Sequence, residues 1–368
     1  MLSKTRVVDL SRILAGPLAT MMLGDLGADV IKIERPGGGD ETRGWGPPFD
    51  PGGQSAYFLS VNRNKLGLAA DLDDPRDREL VAGLIATADV VVDNFRPDTF
   101  ARRGLDPARL LADNPGLIWC TISGFGEHDP RLGYDAVIQG ECGWMAVTGE
   151  AGGAPMKAGV AFADVIAGKD AAIAILAALV ARGRAGRRGE LDLTVRHLHI
   201  SLSRSAVAAL VNVAQNALVT GREPARWGNA HPNLVPYQLF EAADRPIVVA
   251  VGSDVQWKSC ARALALDELG RDPELATNAG RLAHRERLVT ALAARLGTRD
   301  ATEWLALLGA AGVPCGVVRG VLEALAEVDS SPVTGVEPSA GGTVRLPPPR
   351  LDEHGADVRQ LGWGAFPR

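Results

Sequence analysis

Arg6-Val-Val-Asp-Leu10, Pro17-Leu-Ala-Thr-Met-Met-Leu-Gly-Asp-Leu26 and Asp29-Val-Ile-Lys-Ile-Glu34 decide the fold class. They read as strand, helix and strand. In that order they make a βαβ unit, which requires a parallel sheet and a right-handed crossover. The alternation continues with a strand-like run at Leu68–Leu72, a helix over Pro75–Thr87, and strands at Asp89–Asp93 and Leu117–Ser123. An α/β protein with a large parallel-sheet domain is expected. Glu34 ends the second strand, as an acidic residue does in dinucleotide-binding folds. The turn before the first helix, Ser11-Arg-Ile-Leu-Ala-Gly-Pro17, lacks the GxGxxG glycines that let a pyrophosphate approach the backbone. No nicotinamide site is expected.

Farther along, Tyr134-Asp135 opens a mixed helix to about Val147, and Thr148–Ala154 is a Gly-rich connection. Arg182–Gly189 reads as a basic turn before a strand at Glu190–Val195. His197–Thr220 reads as a long amphipathic helix, followed by the polar segment Gly221–Pro236. A smaller α/β unit then has strands at Ile247–Val251 and Pro314–Val318. Its helices lie near Asp254–Leu264, Arg281–Leu296, Ala301–Ala311 and Val321–Glu327. A tail with a strand around Thr343–Leu346 is too short for a domain and is expected to return to the first one. The expected division is residues 1–196 for the first part of the large domain and 197–232 for a linker. Residues 233–328 would form the small domain, and 329–368 the return segment.

The chain has 368 residues, a net charge of −5 and 46% hydrophobic residues, enough for a sizeable core and two domains. With no basic block or aromatic-and-Arg stripe, nucleic acid is not an expected partner. Val160–Ala181 is interrupted by Asp164, Lys169 and Asp170, so no membrane span is expected. Cys120, Cys142, Cys260 and Cys315 are far apart and without CxxC spacing, which suits reduced thiols in a cytoplasmic protein.

One carboxylate stands out. In Val160-Ala-Phe-Ala-Asp-Val-Ile-Ala-Gly168, Asp164 interrupts an apolar run that leads into the apolar helix Ala171–Ala181. Desolvating a charge there is costly unless partners or chemistry justify it. Two readings stand: an N-terminal capping Asp, or a reactive group whose ionised form the helix dipole favours. Arg35, Arg63, Lys65, Arg96, Arg102 and Arg103 all fall near ends of strands and helices. Singly each reads as a surface residue; together they point to an anionic, phosphorylated ligand at one sheet edge. His197 and His199, two apart on the expected helix, would face different ways and make a poor metal pair. With no G-x-S-x-G and no P-loop, the best-placed reactive side chain is a carboxylate, and no metal is expected.

The order of motifs is similar to that of the family III CoA-transferases. The resemblance is carried by Asp9-Leu-Ser-Arg-Ile-Leu-Ala-Gly-Pro17, Ala28-Asp-Val-Ile-Lys-Ile-Glu-Arg-Pro36 with Gly39-Asp40, and Asn62-Arg-Asn-Lys65. Asp93-Asn-Phe-Arg-Pro97, Ser123-Gly-Phe-Gly126, Tyr134-Asp135 and Asp164 extend it. Gly228-Asn-Ala-His-Pro-Asn233 and Val251-Gly-Ser-Asp-Val-Gln-Trp257 carry it into the smaller unit. The resemblance implies a Rossmann-like large domain, a smaller domain and an interlocked homodimer. It implies acyl-CoA and a small carboxylic acid as substrates, so coenzyme A enters as substrate rather than resident cofactor. The family's nucleophilic Asp falls on Asp164, which would pass through a mixed anhydride and an aspartyl-CoA thioester. Ile13, Leu14, Ala15, Arg35, Ala70, Asn94, Phe95 and Arg102 would bind CoA, Arg35 at its phosphate-adenosine end, and Tyr134 and Asp135 would complete the site.

Departures from the family pattern matter too. Leu14 stands where some transferases have Gln, and no clear glycine-rich lid follows Tyr237. A racemase branch shares the fold and places His where this chain has Tyr134; a phenol is too weak a base for that role at neutral pH. Transferase is therefore favoured over 2-methylacyl-CoA racemase, and over a non-catalytic CoA-binding protein, which would have no use for Asp164.

Overall fold

The computed structural model describes residues 1–96, 98–185, 192–327 and 342–367. Six strands form one sheet: β1 (Arg6–Asp9), β2 (Asp29–Glu34), β3 (Lys65–Ala69), β4 (Val90–Asp93), β5 (Ile118–Ser123) and β6 (His197–Ser201). Their spatial order is β3-β2-β1-β4-β5-β6, and every neighbouring pair is parallel. Val7, Val8, Val30, Ile31, Val90 and Val91 have no exposed surface. Both faces of the central strands are covered, which is why they are rich in Val and Ile. Val7, Val30 and Val92 pack with the helices Ala15–Asp25 and Phe162–Ala185. Val8, Ile31 and Val91 pack with Pro75–Ala86, Pro107–Asp113 and the tail helix Gly355–Leu361. The strand order reverses between β1 and β4, and the loops leaving those two strands open the crevice where such sheets hold ligands.

Several expectations are corrected. The third strand begins at Lys65, not Leu68, because the Lys65 side chain finds partners in the interior. His197–Ser201 is the sixth strand and not the start of a helix; it pairs with β5 from Trp119 to Ser123. The helical part of that segment divides into Leu202–Ala208 and Val211–Thr220. The strand expected at Glu190–Val195 is instead a helical turn over Leu193–Arg196, started by the Asp192 side chain accepting from the Thr194 N–H. Residues 186–191, including half of the expected basic turn, lie outside the described residues; Arg182 and Arg184 belong to the preceding helix. The helix from Tyr134 breaks after Glu141, where Gly143 takes φ +86°. The tail makes no strand at 343–346: the Asn64 side chain takes the Arg345 and Leu346 N–H groups that a ladder would have used.

The chain divides into two units, one of Met1–Met145, Lys157–Pro224 and Ser330–Arg368, the other of Ala146–Met156 and Ala225–Asp329. The first extends past the expected limit at 196, because β6 completes its sheet and Leu202 and Ala206 enter its core. The second is built on an antiparallel sheet β7-β8-β9, with β7 at Tyr237–Glu241, β8 at Pro246–Ala250 and β9 at Cys315–Val317. Trp257, Leu288, Leu296 and Trp304 fill its core. β7 gave little sequence signal because Phe240 alone of its five residues is buried. Among the described residues no helix is long and apolar enough to cross a membrane, and no three His, Cys, Asp or Glu side chains group as a metal site.

Candidate active site

The loop after β1 is held from all sides. The Asp9 carboxylate accepts from the Ser11 N–H (3.0 Å), and Lys32 Nζ donates to the Ser11 carbonyl (2.9 Å). Asn94, just past β4, accepts from the Arg12 N–H (2.9 Å) and donates to the Arg12 carbonyl (2.7 Å). Asp40 accepts from the Ile13 N–H at 3.1 Å. Between these clamps Ile13 sits at φ +72°, a conformation that costs a β-branched residue roughly 1–3 kcal/mol. The first helix then starts at Ala15 with no side-chain cap at Leu14, which leaves the N–H groups of its first turn for other partners.

Beneath the loop lies a buried charge network. Lys32, Lys65, Asp9 and Asp40 have no exposed surface. Lys32 pairs with Asp40 at 3.0 Å and Lys65 with Asp9 at 2.9 Å. Burial opposes charge on Asp9, but Lys65, Lys32 and the Ser11 hydroxyl outweigh it and hold its pKa down to about 2. Burial lowers Lys65 to about 8, which leaves it charged at neutral pH. Glu34 is also committed: both its oxygens accept from Arg43 at 2.7 Å, so its carboxylate does not face a ribose.

Asp164 is the third residue of the helix Phe162–Ala185, and it does not cap that helix. The capping carboxylate is Asp135, whose Oδ1 accepts from the Ala163 N–H at 2.8 Å while Oδ2 accepts from Gln139 at 2.7 Å. Among the described residues the Asp164 carboxylate has no hydrogen bond or counter-ion. Burial first, and the Asp135 charge second, raise its pKa to about 7. One helical turn on, Gly168 packs so closely on the first helix that a Cβ there would lie 2.6 Å from the Ala15 carbonyl oxygen. That contact fixes the head of the Asp164 helix against the clamped loop.

A cavity of about 370 Å³ opens at this place, lined by Ile13, Ala15, Asn94, Phe95, Tyr134 and Asp164 among others. Of the residues expected from sequence, these six therefore share one space. Leu14 turns away into a cluster with Leu18, Met21 and Val61. Ala70 is buried beyond β3, its N–H donating to the Glu34 carbonyl. Arg102 is exposed on a short 3₁₀ turn, and Arg35 is exposed with Nε donating to the Gly39 carbonyl. None of these four lines the cavity. The expected edge of six cations is reduced likewise: Lys65 is interior, Arg63 is paired with Asp25 and Arg103 with Asp73.

The cavity also holds residues that sequence reading passed over. His197 and His199 stand on one face of β6 with their rings 4.2 Å apart, contrary to the helical expectation. Burial, then the neighbouring His199, lowers the His197 pKa. Arg12 rests on the Phe95 ring at 4.6 Å. Asp93 at the end of β4 accepts from Trp119 (2.7 Å) and Thr121 (2.8 Å). Tyr57 senses Asp164 as well: burial and then that charge push its phenol up to about 12, so it keeps its proton. The signal for Asp93 was its place at a strand end; for Tyr57 nothing local in the sequence marks it.

Comparison with known proteins is consistent over the whole chain. The sequence matches the profile of CoA-transferase family III over residues 2–355. A succinate–glutarate CoA-transferase from Agrobacterium fabrum is 40% identical over 334 residues, which cover 89% of this chain and 82% of that protein. An acetyl-CoA:oxalate CoA-transferase from Acetobacter aceti is 35% identical over 374 residues, covering 96% and 94%. The crystal structure of a CAIB/BAIF family protein from Brucella suis has a TM-score of 0.83 and 39% identity, with 98% of both chains covered.

Proposed function

The chain belongs to CoA-transferase family III and is an acyl-CoA:carboxylate CoA-transferase, and from that premise we propose that it moves coenzyme A between two small dicarboxylic acids through covalent intermediates on Asp164. The observation that carries the reading is the state of Asp164: a carboxylate without a counter-ion among the described residues, its pKa raised to about 7, facing a cavity beside the start of a helix. The dicarboxylate class is taken from similar proteins named for succinate, glutarate and oxalate.

In this mechanism the Asp164 carboxylate attacks the thioester carbonyl of the donor, forms an acyl-aspartyl anhydride and expels the CoA thiolate. The thiolate attacks the aspartyl carbonyl of the anhydride, releasing the donor acid and leaving an aspartyl-CoA thioester. The acceptor carboxylate then attacks that thioester, and the thiolate expelled attacks the new acyl carbonyl, which frees Asp164. The bond energy stays in thioester or anhydride throughout. Each tetrahedral intermediate needs donors; Ala15, at the uncapped start of the first helix, lines the same cavity, and its N–H would be one. Ile13, Ala15, Asn94 and Phe95 would contact the arm of CoA that reaches Asp164, with Tyr134 at the far wall. Leu14, Arg35, Ala70 and Arg102 would serve the loop's packing and the nucleotide end. Asp135 holds the Asp164 helix.

The racemase reading needs a base at Tyr134, which a phenol does not supply at neutral pH. A homodimer is supported by large apolar side chains left exposed on the first unit. Ile173 is 64% exposed, Val211 69% and Leu218 78%. The two chains would interlock, as the family resemblance implies. A cytoplasmic location is supported by four free cysteines.

The test is incubation with a panel of acyl-CoAs and free acids, read by mass spectrometry. Succinyl-CoA or a related dicarboxylyl-CoA should give the CoA thioester of a second dicarboxylate. Hydroxylamine added during turnover should modify a peptide containing Asp164. Turnover without any modification of that peptide would remove the covalent relay.

A further inference from the structure

The Ser11–Ile13 turn has more side-chain anchors than a loop needs to stay folded. Lys32 Nζ donates to the Ser11 carbonyl (2.9 Å) and to Asp40 (3.0 Å), and Asp40 in turn accepts from the Ile13 N–H at 3.1 Å. One buried ion pair thus grips the turn on either side of Arg12. Neither Lys32 nor Asp40 lines the cavity, so neither meets a ligand there. Ile13 and Ala15 do line it, and Ile13 is the strained residue at φ +72°. Strain of this kind persists only where the surroundings over-determine it.

We infer that Lys32 and Asp40 are positioning residues for the transfer reaction: they hold Ile13 in its left-handed conformation and so set the start of the first helix against Asp164. The inference rests on the transferase reading above. With the Asp40 acceptor gone, nothing else among the described residues bonds the Ile13 N–H, and Ile13 relaxes toward negative φ. That rotation turns the following peptide and displaces Leu14 and Ala15. The Ala15 carbonyl is the group in contact with Gly168, one helical turn from Asp164. The displacement therefore alters the distance between the nucleophile and the donors at the first helix, while the ligand's remaining contacts stay in place.

The experiment compares wild type, Lys32→Met/Asp40→Ala, and the same pair with Ile13→Gly added. Removing both charges together leaves neither buried and unpaired. In the pair variant kcat should fall about 10- to 100-fold, the scale of an ångström-sized misplacement. The calorimetric Kd for CoA should shift no more than about threefold, because the effect is on the reacting geometry. Glycine enters the left-handed region without penalty, so Ile13→Gly should recover about half of the loss on a logarithmic scale, a coupling expected of sites that act through each other. A purely structural pair predicts no such recovery. Should the pair variant not fold, Lys32→Met/Asp40→Leu, which fills the volume and still removes both charges and the Ile13 acceptor, is run with and without Ile13→Gly and decides by the same readouts. Wild-type kcat in a folded variant, or equal losses with Ile and Gly at position 13, overturns the inference. Failure of the transferase reading shows separately, as a wild type that turns nothing over.

Discussion

Asp9 and Asp164 are two carboxylates near the carboxyl edge of one sheet, and the fold holds them in opposite states. Asp9 accepts from Lys65, Ser11 and Thr20, at 2.9, 2.5 and 2.7 Å, and its pKa is held down to about 2. Asp164 has Asp135 for a neighbour, no counter-ion among the described residues, and a pKa raised to about 7. In the first, opposite charges and hydrogen bonds overcome desolvation; in the second, burial and a like charge act together. The satisfied carboxylate fixes backbone; the unsatisfied one is the nucleophile of the proposed transfer. A strongly perturbed carboxyl group in a cavity marks a candidate functional site.

The largest break of this comparison is Asp164→Asn. An amide cannot form the anhydride, so transfer should drop at least about 10⁴-fold, the scale seen when a covalent nucleophile is removed. Stability should move the other way. An acid whose folded pKa is above its unfolded value holds its proton longer in the folded state. Its presence therefore costs stability progressively as pH rises from about 4 to about 7, and fully above that. At about 1.4 kcal/mol per pKa unit the ceiling of that cost is roughly 4 kcal/mol. Urea unfolding should find Asp164→Asn equal to wild type near pH 4 and more stable at pH 8. The wild-type kcat/KM should rise with pH through about 7 as Asp164 ionises. A variant less stable than wild type at pH 8 would show that Asp164 has a stabilising partner after all.

Asp9→Asn tests the opposite member. Removing one partner of a buried pair leaves Lys65 uncompensated, at a cost of about 3–5 kcal/mol. Because the Asp9 pKa is depressed, its stabilising contribution is present above the unfolded value near 4 and is lost as pH falls toward 2. The gap between wild type and variant, followed by urea unfolding, should therefore close in acid. A gap that stays constant from pH 7 to pH 3 would mean that Asp9 contributes shape rather than charge.

Next in size is Gly168→Ala, which acts where the two regions touch. The added Cβ would meet the Ala15 carbonyl, a backbone atom that cannot swing aside. Such overpacking costs about 1–3 kcal/mol, and it separates the Asp164 helix from the clamped loop. Thermal unfolding should show the loss, and kcat should fall more than KM rises. Unchanged kcat would say that the spacing of the two helices does not govern the chemistry.

How much of this was legible depended on whether a residue's role lies in its own segment. β1, β2 and β4 were readable because strands buried on both faces are rich in Val and Ile. Asp164 was readable as an anomaly in an apolar frame. What failed was partnering at a distance. Lys65 reads as a surface cation until Asp9, 56 positions earlier, is found beside it. The capping reading of Asp164 could not be set aside from sequence, because Asp135, 28 positions before Ala163, carries no sign of pointing there. His197 and His199 misled for a different reason. Alternating residues on an edge strand flanked by helices have the composition of an amphipathic helix, and only pairing with β5 distinguishes the two.

The smallest expected effect concerns Arg35, which neither clamps the loop nor lines the cavity. Its side chain is exposed and its Nε donates to the Gly39 carbonyl at 3.2 Å, within the glycine-rich turn after β2. A guanidinium held in this way keeps its outer nitrogens for a phosphate. It stands outside the comparison of Asp9 and Asp164, because it is neither buried nor near the reacting atoms. Arg35→Ala should therefore leave stability unchanged and kcat within about twofold, while raising the KM for acyl-CoA about 3- to 10-fold through lost ground-state binding. The rise should shrink in high salt, as an exposed charge contact requires. If KM is unchanged at low salt, Arg35 is a solvated surface residue, and the phosphates of CoA are held by other groups.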